Sequence, residues 1–223
     1  MKYIIGDVFR SFCDMKYAIP FSTLKKTSLG DGGYILGQGL TQHEINELIE
    51  NKIIINNHFQ KVDLSLTHKH KNKNSLIVNF YSQNTSKFAA EMYIHGDNDL
   101  LMDHITGMHI PGIALIEAAR EFFIVSLSHI GFGTYRFILE NIQSVFISYV
   151  FPVETNISIN IKCVEDSNQK KTFDATIHFH QFKKKCAECC IRATLLPEKL
   201  AIFSEKISAQ NTKLLERSYV QKY

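Results

Sequence analysis

No stretch of this sequence comes near about 18 uninterrupted apolar residues, so no membrane-spanning helix is expected. The start, "MKYIIGDVFRSFC", has one early lysine and a short apolar run broken by Asp7 and Arg10. It lacks the long apolar core of a secretory signal. The five cysteines, Cys13, Cys163, Cys186, Cys189 and Cys190, are odd in number, and three crowd into one short segment, so they suggest no disulfide framework. A reducing, cytoplasmic setting is the resulting expectation. Net charge is only +3, too mild to call for a nucleic-acid partner. There is no internal repeat and no low-complexity linker. Nor does a βαβ unit recur, which argues against a doubly wound sheet.

What is present is globular. Of 223 residues, 45% are hydrophobic and 21% charged, and a chain of this size buries roughly 70% of its unfolded surface. The segment "SLGDGGYILGQGL" reads as turns around a short strand. "TQHEINELIE", residues 41–50, reads as a helix in which Thr41 caps and Glu44 completes a capping box. The segment "NKIIINNHFQ" fits a strand or a loop. Strand character then runs through "KVDLSLTHKH", "SLIVNFYS" and "SKFAAEMYIH". A loop over 96–111 leads into the longest helical pattern, 112 to about 129. At 1.5 Å per residue that helix is about 27 Å long and could lie across a curled sheet. Further strands follow: "RFILENIQSVFISYVF" with a kink near Asn141, "TNISINIKCVE", "KTFDATIHFHQF" and "AECCIRATLL". Pro197 ends the last, and a polar, partly amphipathic tail remains. The sequence therefore reads as one α+β domain over 1–223, with an N-terminal extension of about 1–55 and a C-terminal tail of about 198–223.

The long helix carries the chemistry. Leu115, Ala118, Ala119, Phe122, Val125 and Ser126 form a broad apolar surface, and the alanines permit close approach of a sheet. Ile113, Glu117, Arg120, Glu121 and Ile124 share a second face, on which Glu117 and Arg120 are spaced to pair. Two readings stand. The stripe is a solvent-facing edge, or it lies at a partly dry interface where burial would raise the Glu117 pKa and suit it to proton transfer. The Pro111–Gly112 entry supplies free backbone N–H groups able to polarise a carbonyl or hold a phosphate.

The segment "DHITGMHIPGIALIEAARE", residues 103–121, closely resembles the signature of the A-factor biosynthesis hotdog family, which makes γ-butyrolactone signals. More distantly it is similar to the β-hydroxyacyl-(acyl carrier protein) dehydratases. Those enzymes share the Pro-Gly entry and a glutamate five residues after the glycine, here Glu117. Their catalytic histidine lies nine residues before the glycine, where this chain has Asp103 with His104 beside it. "THKHKNKNSLIV" resembles the first family's His-Lys element and makes His68 and Lys69 the matching residues. One departure is Glu121, where the family usually has glutamine after the arginine.

The resemblance implies a hotdog fold: a long helix wrapped by a curved antiparallel sheet, paired with a second copy into a homodimer. It implies an acyl thioester substrate on the phosphopantetheine of an acyl carrier protein or coenzyme A, with no tightly bound cofactor. A β-ketoacyl group would pass to the hydroxyl of a small phosphorylated acceptor. Glu117 and His104 would handle protons beside an apolar tunnel, and Gly112 amides would hold the thioester carbonyl. Arg120, Lys69 and His109 would contact phosphate or carrier, with Asp103, Glu121 and His68 also lining the site. Dehydration, thioester hydrolysis and a non-catalytic acyl-binding role are the alternatives. The "CAECC" cysteines fall on opposite faces of a strand and do not suggest a metal site. His178 and His180 share a strand face, where exposed or hydrogen-bonded roles fit better than ligation. The basic runs "HKHKNKN" and "KKK" read as solvated turns, with an acidic carrier protein as a possible partner.

Overall fold

Period-two alternation in the second half of the chain becomes one continuous antiparallel sheet. The computed structural model describes residues 2–24, 33–100 and 102–220. Within them, β4 (Ile77–Ser82) and β5 (Lys87–Met92) precede the long helix α3 (Gly112–Leu127). The strands β6 (Tyr135–Phe146), β7 (Thr155–Asp166), β8 (Lys171–Gln181) and β9 (Lys184–Pro197) follow it. The sheet order is β4-β5-β7-β8-β9-β6, with every neighbouring pair antiparallel; the β4 edge is bridged at Val78 by Lys61, and no further strand pairs with the β6 edge among the described residues.

Alternate residues of the central strands, Ile157 and Ile159, Phe173, Ala175 and Ile177, and Cys189 and Ile191, point inward against α3. Ala118 and Ala119 carry no bulk, so the helix axis comes close to the sheet, and Phe122 and Phe123 fill the space beyond, all four fully buried. Each large apolar side chain buried this way contributes about 1.5–3 kcal/mol. The helix ends at Leu127 in a wide turn over Ser128–Phe132, released by Gly131 at φ +98°. The kink expected near Asn141 is a register shift in β6 between Leu139 and Asn141.

The first part of the chain holds what the sequence reading left unresolved. β1 (Lys2–Ile5), β2 (Ala18–Pro20) and β3 (Tyr34–Leu36) make a small parallel sheet, with a one-turn helix α1 (Phe21–Leu24) after β2. Residues 25–32 lie outside the described residues, and with them the turn expected at "SLGDGG", residues 28–33, apart from Gly33. Helix α2 (Gln42–Glu50) forms as read: Glu44 N–H donates to Thr41 Oγ1 and Thr41 N–H to Glu44 Oε2. This layer has its own apolar core, including Ile4, Leu36, Leu40 and Leu48. It is fastened to the large sheet by buried Gln38, which donates to the Met92 carbonyl at 2.8 Å and accepts from Ile94 N–H at 2.6 Å.

Two expectations are corrected. "KVDLSL" is not a strand: Asp63 accepts from Ser65 N–H at 2.9 Å and turns the chain into a short 3-10 helix, Leu64–Leu66. The longest helix among the described residues is not α3, of 16 residues, but α4 (Glu198–Val220), of 23 residues in the C-terminal tail, where Ala201 is buried.

Candidate functional site

The charged stripe of α3 is covered by protein along much of its length. The loop between the 3-10 turn and β4 folds back over it, its backbone held by Lys69 N–H donating to Thr67 Oγ1 and by the Thr67 hydroxyl donating to the Leu64 carbonyl. This carries the Lys69 ammonium, whose side chain is only 7% exposed, onto Glu117 Oε1. From the other side Arg120 grips the same carboxylate in a fork, Nε to Oε2 and Nη2 to Oε1, both at 2.8 Å. Glu117, with a side chain 22% exposed, thus holds two cations.

The reading in which Glu117 has a raised pKa is overturned by these contacts. Burial pushes its carboxyl up, but the hydrogen bonds from Arg120 and Lys69, with their charges, outweigh burial and hold it below the ordinary glutamate value. It is therefore a carboxylate at neutral pH and a weak base.

One turn on, Glu121 is buried, which excludes the solvent-facing edge for that residue. Its Oε1 accepts from the Ser75 hydroxyl at 2.5 Å and its Oε2 from Leu76 N–H at 3.0 Å. Burial raises its pKa, against the pull of those two donors. Glu121 therefore pins the start of β4 to the helix.

At the helix entry Pro111 caps with no side-chain hydrogen bond. A Cβ at Gly112 would lie 3.0 Å from the Phe146 ring, so that exposed ring would have to give way. His68 is exposed; partial burial and then the charges of Arg120 and Arg136 depress its pKa. Arg136 is itself paired with Glu198 at 3.2 Å.

The loop residues go elsewhere. Asp103 and His104 are exposed on a short turn, Met102–His104. His109 has Nδ1 3.5 Å from Thr106 Oγ1 and its ring 4.9 Å from that of Tyr149. Among the described residues no hydrogen bond or ion pair joins Asp103, His104 or His109 to Glu117, Arg120 or Lys69. The apolar tunnel expected beside Glu117 is not a cavity of about 350 Å³ found among the described residues, whose lining includes no residue of α3. Ser75 and Arg136 were not singled out in the sequence. A serine before an apolar strand and an arginine on an exposed one carry no spacing signal.

A long helix packed against an open antiparallel sheet is the architecture of the hotdog class. The chain belongs to the A-factor biosynthesis hotdog family, whose model matches residues 54–197. No curated protein matches it. Similar solved structures include a mutant thioesterase of Pseudomonas aeruginosa, 12% identical, covering 54% of this chain and 81% of its own, with TM-score 0.40. A thioesterase of Haemophilus influenzae is 10% identical over 56% and 80%, with TM-score 0.41. A mutant thioesterase of Staphylococcus aureus is 10% identical over 53% and 93%, with TM-score 0.40. Likeness at that level carries no argument of its own. Among the described residues no helix is long and apolar enough to cross a membrane.

Proposed function

We propose that the protein binds an acyl thioester, carried on an acyl carrier protein or coenzyme A, and passes a β-ketoacyl group to the hydroxyl of a small phosphorylated acceptor. The observation that carries this reading is the cluster of Lys69, Glu117 and Arg120 midway along the hotdog helix. Glu117 takes two of the five guanidinium N–H bonds of Arg120, leaving three. Arg136 adds its charge to that of Arg120 in the field felt at His68, which stays neutral. A planar, fixed guanidinium in such a field suits the phosphate of an acceptor or of phosphopantetheine. Glu117 then acts by positioning the two cations rather than by moving a proton. The amides of the uncapped helix start remain the candidates for the thioester carbonyl.

Dehydration fits less well, because it needs a carboxyl and an imidazole facing the substrate, whereas Glu117 faces two cations and His104 lies exposed on its own turn. A homodimer is part of the proposal. Among the described residues β6 pairs only with β9, and the strand and its continuation expose Ile138, Leu139, Val145, Phe146 and Ile147.

The test is incubation of the purified protein with a β-ketoacyl thioester, with and without a phosphorylated alcohol. Mass spectrometry of the ester and release of free thiol are followed together. Ester formed only with acceptor supports transfer. Thiol released without acceptor points to hydrolysis, an enoyl product to dehydration, and binding without turnover to an acyl-binding protein. Glu117→Gln should lower turnover by at least about tenfold, because the two cations lose their common anchor. Unchanged turnover in a folded variant would remove Glu117 from the mechanism.

A further inference from the structure

A cavity of about 350 Å³ lies well outside the α3 cluster, between α2, residues 55–59 and the β4–β5 end of the large sheet. That size is at the lower end of the range for small-molecule sites, about 300–1,000 Å³. Its walls are largely apolar, with Ile45 of α2, Ile55 and Phe59 facing Tyr93. The rings of Phe59 and Tyr93 lie 4.1 Å apart.

Among the polar residues of the lining His58 is exposed, and the others divide sharply. Tyr93 is satisfied, its hydroxyl donating to the Leu40 carbonyl at 2.9 Å. Asn57 is held by both backbone groups of Leu36. Gln42 is engaged by Asn46 and by Lys61, which donates to it at 2.6 Å. His95 is different. It is 4% exposed, its ring stands edge-on to Tyr93, and its Nδ1 is the one buried side-chain nitrogen or oxygen among the described residues with no hydrogen-bond partner. A buried polar atom left unpaired is destabilising, so its persistence calls for a partner. Beside it, Lys61 has spent one of its three ammonium protons on Gln42. No Asp or Glu lines the cavity among the described residues.

We infer that this cavity is a second ligand site, built for a small amphiphilic carboxylate whose apolar body lies against Ile45, Ile55, Phe59 and Tyr93 and whose head is taken by His95 and Lys61. His95 suits that role as a neutral imidazole, because burial, with help from Lys61 and against Asp97, lowers its pKa to about 4. It can then offer a ring N–H without bringing in a second buried charge. The competing explanation is a single water. A gap of about 10 Å³, lined by His95, Lys61 and Ser75 among others, adjoins the cavity and is at the limit for one water molecule.

The experiment titrates the full chain with octanoate, octanol and octylamine by calorimetry, with histidine ring 15N shifts recorded in parallel. Expected are saturable one-site binding of octanoate, a shift of the His95 ring resonances, and affinity at least about tenfold weaker for the other two heads. His95→Gln and Lys61→Met should each weaken octanoate by about tenfold or more, and Ile45→Trp should abolish binding by filling the space. If Ile45→Trp fails to fold, Ile49→Trp at the exposed rim takes its place. Absence of saturable binding would leave water as the partner of His95 and overturn the inference. So would equal affinity for all three heads, or affinity unmoved by these variants. Glu117→Gln should leave octanoate affinity unchanged; loss there would move the ligand to α3 and likewise overturn it. A failure of the transferase proposal has no bearing on these readouts.

Discussion

Glu117 and Glu121 stand one helical turn apart, and their surroundings push them in opposite directions. Glu117 keeps its charge because two cations share it, so its pairing stabilises the fold above the ordinary glutamate value near 4.5 and is lost as pH falls through the depressed native value. Glu121 is buried with two neutral donors, and its native value is raised. Between 4.5 and that raised value the native state keeps a proton the unfolded chain has released, so stability falls as pH rises through it. An amide would meet the same partners without this cost, its oxygen accepting from Leu76 N–H and its nitrogen donating to Ser75 Oγ. Glu121→Gln should therefore fold normally and melt about 2–4 °C higher at neutral pH, with the difference vanishing below pH 4.5. Calorimetric melting temperatures across pH check this, and a lower melting temperature at neutral pH would contradict it.

Among the elements, the loop that carries Lys69 is the one whose position depends on chemistry more than on packing. It is tied to α3 by Lys69 at Glu117 and by Ser75 and Leu76 at Glu121. Lys69→Met removes the first tie and keeps most of the apolar stem. The Glu117 carboxyl should then titrate higher, with Arg120 its only remaining cation, and amides near residue 69 should lose protection while those near residue 75 keep it. Carboxyl 13C shifts and hydrogen exchange read the two effects; an unmoved Glu117 titration would mean that Lys69 does not hold it. The contrast explains what was legible in the sequence. Gly112, Glu117 and Arg120 share one helix, where spacing fixes their relative positions, and Lys69 was legible through family resemblance. The antiparallel strands were legible because one face is buried and period-two alternation follows. The 62–66 segment has the same alternation, yet Asp63 offers its backbone a local hydrogen bond that wins over pairing. His95 gave no signal, since its cavity exists only where α2 and residues 55–59 meet the sheet.

At the scale of the whole molecule, the open side of β6 is the feature that a single chain leaves incomplete. A twelve-residue edge strand presents unpaired backbone groups, and here the exposed positions of the strand are not blunted by proline or a run of lysines. Instead Ile138 and Leu139 are 42% exposed and Val145 and Phe146 are 60% and 50% exposed. Phe146 also touches the Gly112 end of α3, so whatever covers β6 stands next to the uncapped helix start. Pairing of this edge with its own copy about a two-fold axis would extend the sheet and bury the apolar row twice over. Light scattering should accordingly give a dimer mass. Val145→Lys places two like charges near that axis and should shift the equilibrium toward monomer by at least about tenfold, a loss of about 1.4 kcal/mol. The melting temperature of the isolated monomer should change little, since residue 145 already faces solvent in one chain. If turnover needs the second half, acyl transfer should fall in proportion to the dimer lost and recover as protein concentration rises. A monomeric parent protein, or a Val145→Lys variant with unchanged dimer mass, would place the partner of β6 elsewhere.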